Sequence, residues 1–151
     1  MSEYITFFIR KDENIVPIGS YSRQSMIWQA TRAIFNVNQV YGATYELQPD
    51  ELDKAVRYLM GKRDQLNHGI AELERDIADI ATFNNSISDK LDAIFTTRQS
   101  IAEERGLIEE VELGLRFYST LQLMGASTNV PIRFYCGIEV DEETPIEDFS
   151  N

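Results

Sequence analysis

The chain contains one histidine and one cysteine, so site chemistry built on either can use it once. His68 has Asp64 four residues before it and Glu72 four residues after it. On a helix these three share a face, because i and i+4 lie one above the other. A carboxylate–imidazole–carboxylate set can hold a metal ion weakly, orient a general base or respond to pH. Exposed ion pairing is the commoner use of such a triplet and is the expectation here. Cys136 lies in FYCGI, beside Tyr135 and Gly137, with no adjacent cation to lower its pKa. It reads as a buried structural thiol.

Arg57, Lys62 and Arg63 cluster around Tyr58 and would suit an anionic ligand. Salt bridges to Asp53 and Asp64 are the simpler use of these cations. The acid pairs Asp50/Glu51, Glu72/Asp76, Glu103/Glu104 and Glu109/Glu110 lack the Glu-x-x-His spacing of helical di-metal centres. One histidine excludes two-His and three-His metal sites within one subunit. No phosphate-cradling glycine motif, G-x-S-x-G frame, zinc-finger spacing or 12-residue Ca²⁺ loop occurs. The expectation is therefore no catalytic, cofactor-binding or metal site, and no enzyme. Tyr4, Phe7, Phe8, Trp28, Phe35, Tyr41 and Tyr45 read as the core of a small head. A concave site holding Arg23, Arg32 or Arg133 beside these aromatics would instead favour a small-ligand pocket.

Residues 4–10, YITFFIR, favour a strand, followed by a turn over Asp12–Asn14. Ile15–Ile18 reads as a short second strand, kept at an edge by Pro17. Residues 22–36 form an amphipathic helix with Ile27, Ala30, Ala33 and Ile34 in its apolar arc. Ser22 or Ser25 caps it. Residues 37–48 connect, with a turn near Gly42 and a short strand at 43–47.

Pro49, Asp50, Glu51 and Asp53 make a strong helix start. Leu52, Val56, Leu59, Arg63, Leu66, Ile70, Leu73, Ile77 and Ile80 follow in alternating steps of four and three. That is a heptad seam interrupted only by Arg63. Gly61 and Gly69 each weaken the helix by about 1 kcal/mol relative to alanine. The same phase continues through Asn84, Ile87, Leu91, Ile94, Arg98 and Ile101. It then falters, and Ile108, Val111, Leu115 and Tyr118 need a stammer near Gly106.

Thr82–Ser86 reads as a turn between helices 49–83 and 87–125, with Ser86 or Ser88 as the next cap. The alternative is one rod from Pro49 to about Glu104. The hairpin is favoured because it lets a strand at 130–140 pair with strand 4–10. The expected fold is thus α+β and predominantly helical: a small head with short antiparallel strands and a long antiparallel, coiled-coil-like helical hairpin. Its parts are 1–48, the hairpin 49–125 turning near 82–87, and 126–151, which supplies a strand and an acidic tail.

The net charge of -11 is unevenly spread. Residues 1–48 hold four acids and four bases, 49–125 fifteen and nine, and 126–151 six and one. This disfavours direct nucleic-acid binding, which needs a concentrated cationic surface. No apolar run is long enough to span a membrane. The first residues, MSEYITFFIRKD, lack a basic leader with an apolar stretch, and a cytoplasmic protein is expected. Leu107, Phe117 and Leu123, with Ala55, Ala71, Ala78 and Ala81, widen the apolar surface and point to a homo-oligomer.

The functional expectation is a non-enzymatic acidic protein that binds proteins. It would act as an oligomeric adaptor, or as an inhibitor of a basic, nucleic-acid-binding partner. Two other classes fit: a structural component of a larger assembly, and a small-molecule sensor or enzyme with a pocket in the head or between subunits.

Overall fold

The structure, a computed structural model, describes residues 3–35, 44–128 and 131–138. The chain forms two compact units, Met1–Leu59 with Gly114–Asn151 (the head unit) and Met60–Leu113 (the hairpin unit). The turn expected near Gly42, Tyr41 and the acidic run from Glu139 to Asp148 lie outside the described residues.

Strand β1 spans Glu3–Lys11 and β2 spans Asn14–Ser22. The two-residue turn between them needs a left-handed residue, which Asp12 supplies at φ 58°. Strand β3 is Thr44–Glu46 and β4 is Ile132–Ile138. The four make one antiparallel sheet in the order β2-β1-β4-β3. Pro17 does lie on an edge strand. β2 is longer than expected, however, because Gly19 and Ser20 continue the ladder instead of ending it. The pairing jumps from Phe7↔Gly19 to Phe8↔Pro17, so Ile18 is the extra residue of a β-bulge. Central β1 buries side chains on both faces, with Ile5, Thr6, Phe7 and Phe8 all inside.

Helix α1 spans Met26–Ile34, shorter than the 22–36 read from periodicity. Ser25 is its cap, accepting from the Ile27 N–H at 3.1 Å. Ser22 is the last residue of β2. Helix α2 spans Pro49–Thr82 and α3 spans Ile87–Thr128. They form a helical hairpin, not a rod. Glu51 reaches back to the Gln48 N–H at 2.9 Å, half of a capping box at the start of α2. Ser86 caps α3, accepting from Asp89 N–H at 3.1 Å.

The seam of α2 runs as expected. Every position from Leu52 to Ile80 in the heptad series, Arg63 included, is buried or half-buried. The seam of α3 does not. Buried and half-buried side chains recur at Lys90, Ile94, Thr97, Ile101, Glu104, Ile108, Val111, Leu115, Tyr118 and Gln122. Those steps alternate four and three without a break, so there is no stammer at Gly106. The expected phase puts Ile87, Leu91 and Arg98 inside, and all three are exposed. Polar residues at four seam positions disguise the true phase.

Candidate functional site

The residues singled out for chemistry are largely scattered. His68 Nε2 lies 3.2 Å from Glu72 Oε1, and both side chains are exposed. Asp64 does not complete a ligand set: among the described residues no three metal-ligating side chains come together. Cys136 is buried in β4, in register with Ile5. Arg57 pairs with Asp53, and Lys54 approaches Asp50 at 4.0 Å, so neighbouring carboxylates take up these two cations.

The head's aromatic residues mostly fill its core. Phe7 packs on Phe117 at 4.8 Å between ring centroids and also touches Tyr21, Tyr118 and Phe134. Phe134 joins Phe35 and Tyr45, the latter stacked at 5.8 Å. Phe117, expected on the outside, is therefore part of this cluster. Edge-to-face pairs of this kind add roughly 0.5–1.5 kcal/mol each beyond the area they bury. Ala55, also expected to widen the outer surface, is fully buried. Leu107 and Leu123 are exposed as expected.

Among the described residues, one concave surface of the head unit lies over α1. Arg23, Trp28, Gln29, Arg32, Ala33 and Tyr58 line a depression of about 440 Å³. Arg23 precedes the α1 cap, Arg32 lies in its last turn, and Tyr58 comes from α2. Trp28 is 3% exposed, and its indole Nε1 is buried without a hydrogen-bond partner. A buried donor left unpaired costs about 1–3 kcal/mol. Tyr58 thus lines a depression together with two cations, Arg23 and Arg32, that are remote from it in sequence. A second head cavity, about 420 Å³, is lined mainly by uncharged residues, including Leu47, Pro49, Leu52 and Ile132.

In the hairpin unit, Phe83, Ile87, Leu91 and Phe95 are 51%, 77%, 61% and 63% exposed. Their spacing of four places Ile87, Leu91 and Phe95 on one outward stripe of α3, beginning at the turn. Residues 83–98 carry two acids, Asp89 and Asp92, and two bases, Lys90 and Arg98. This segment is electrically balanced within an acidic chain. Lys90 also reaches the Ala81 carbonyl at 3.3 Å, supplying a cation to the C-terminus of α2, whose last turn has none of its own. Further along, Glu72, Glu74, Asp76, Asp79, Glu103, Glu109, Glu110 and Glu112 are all exposed.

Among the described residues no helix is long and apolar enough to cross a membrane. Comparison with family models, curated proteins and solved structures finds no match to this chain. The fold places the chain in a broad class: a small α+β domain with a four-stranded antiparallel sheet and a helical hairpin, an architecture suited to a protein-interaction module.

Proposed function

We propose that the protein is a non-enzymatic, cytoplasmic protein-binding module that self-associates through its hairpin and engages a basic protein partner with its acidic flanks. The observation that carries this reading is the stripe Phe83–Ile87–Leu91–Phe95, exposed by half or more at every position. A contiguous apolar stripe of this size is a marker of association on a water-facing helix. Pairing two copies of it would remove on the order of 1,000 Å² from water, about the lower limit for a specific interface.

The local charge favours a second copy as the occupant. In a chain of net charge -11, most like-to-like contacts are opposed by repulsion. The balanced segment 83–98 avoids that cost. The exposed carboxylates elsewhere on the hairpin would then be displayed in duplicate, which raises avidity for a cationic partner. An adaptor role, or inhibition of a basic partner, follows from that display.

Light scattering coupled to size exclusion, run over a range of concentrations, tests the reading. A mass that rises toward twice the chain mass supports it. A mass that stays at one chain at every concentration overturns it.

A further inference from the structure

We propose that two copies of the hairpin unit pair antiparallel about a twofold axis at Phe95 of α3, each copy seating the partner's Ile87 over Ala102 in a groove between α2 and α3. This inference rests on self-association through the stripe and adds its direction, its register and a receiving surface.

The receiving surface continues the stripe. Beyond Phe95, steps of three and four reach Arg98 and Ala102, on the same face of α3 as Ile87 and Leu91. Both are exposed. Arg98, Ile101, Ala102 and Arg105 line one side of a groove of about 350 Å³, and Glu74 and Ile77 of α2 line the other. Arg105 reaches Glu74 at 3.5 Å, which takes up the one carboxylate among these six residues. What the groove then offers an apolar side chain is Ala102, with buried Ile101 and half-buried Ile77.

Spacing sets the register. About a point between Ile94 and Phe95, Ile87 and Ala102 lie symmetrically, as do Leu91 and Arg98. At the helical rise per residue the two pairs stand roughly 11 and 5 Å from that point. An antiparallel twofold there lays Ile87 of each copy on Ala102 of the other, Leu91 along the aliphatic stem of Arg98, and Phe95 against Phe95. Ile87, 77% exposed, thereby meets a small side chain in a groove. A twofold at Leu91 would instead set Ile87 against Phe95, two large side chains, and leave the groove uncovered. Parallel pairing would stack Arg98 on Arg98 and Arg105 on Arg105, which like charge disfavours. In the antiparallel pair the two Arg98 residues stand roughly 10 Å apart along the axis, about a Debye length in moderate salt.

Cysteine variants of the full chain test the register, since the native Cys136 is buried and the parent chain serves as the blank. They are treated with a short bis-maleimide at a concentration where light scattering shows twice the chain mass. Ile87→Cys alone and Ala102→Cys alone should not be bridged, because their copies stand roughly 22 Å apart. An equimolar mixture of the two, one of them ¹⁵N-labelled, should give the mixed dimer by mass spectrometry. Ala102→Glu, at an exposed position outside the stripe, should weaken association about tenfold or more. A doubled mass with either variant bridged to itself, with no mixed dimer, or with Ala102→Glu associating like the parent overturns this register and leaves self-association standing. A mass of one chain at every concentration overturns both.

Discussion

Tyr118 of α3 donates its phenolic hydrogen to the hydroxyl of Thr31 on α1, inside the head unit. The direction follows from Thr31 itself. Its own hydrogen goes to the Ile27 carbonyl at 2.8 Å, leaving only a lone pair for Tyr118. Both side chains are fully buried. The bond therefore exists only while the phenol is protonated, and it ties the short helix to the long one across 87 residues of sequence.

Burial pushes the Tyr118 phenol well above its ordinary value of 10.0. The folded state thus keeps a proton that the unfolded chain gives up near pH 10. Stability from this group is complete below about pH 10 and falls as pH rises beyond it, by up to about 1.4 kcal/mol per pH unit. Denaturant unfolding between pH 8 and 11 should show that decline. In Tyr118→Phe the decline should be shallower, with a remainder from Tyr21, whose phenol burial also raises. At neutral pH the same variant should cost about 1 kcal/mol, because Thr31 keeps its bond to Ile27.

Glu104 occupies a seam position of α3 with Oε2 buried and unpartnered. Gly69 makes room for it: a Cβ there would stand 2.7 Å from that oxygen. Replacing the carboxylate by a similar apolar volume removes a desolvation cost at no loss of a bond. Glu104→Leu should raise the unfolding free energy by about 1–2 kcal/mol in urea titrations. A loss of stability would show that the carboxylate is paired in solution.

Three helical glycines divide by what surrounds them. A Cβ on Gly61 or Gly106 would meet nothing within 4 Å, so Gly61→Ala and Gly106→Ala should each stabilise by about 0.5–1 kcal/mol. Gly114 lies between helices, and a Cβ there would come to 3.2 Å from Leu59 Cδ1 and 3.7 Å from Ile27 Cγ1. In Gly114→Ala the crowding offsets the helix gain, and the variant should be no more stable than the parent. Thermal melts of the three variants side by side would test the ordering.

Leu91→Asp and Phe95→Asp place a charge in the exposed stripe and should hold the protein at one chain mass at concentrations where the parent associates. Leu107→Asp serves as the comparison. Leu107 is 49% exposed but lies on a different face of α3, so its variant should associate like the parent. Sedimentation at matched concentrations distinguishes the stripe from exposed apolar surface in general.

The two long helices, the turn at 83–86 and the pairing of an N-terminal with a C-terminal strand are legible in the amino-acid sequence. Periodicity marks a buried face when one phase is apolar and the others are not, as along α2 from Leu52 to Ile80. Asn84, Asn85 and Ser86 then interrupt that pattern with turn and capping chemistry. The bounds of β2 are less legible, because Gly19 and Ser20 resemble a turn, while the adjacent strand β1 holds them in the sheet.

What local pattern leaves open is which face of α3 points inward. Ile87, Leu91 and Phe95 suit a core as well as Ile94, Ile101 and Ile108 do, and the helix has almost no net amphipathic direction. Only packing against α2 resolves it, burying Lys90, Thr97 and Glu104 in part and leaving three large apolar residues outside. The same holds for Tyr58, whose cationic neighbours Arg23 and Arg32 come from 26 or more residues away. Composition and periodicity dictate which elements form. Contact between elements decides which side chains share a surface, because that depends on distances in space that no local spacing encodes.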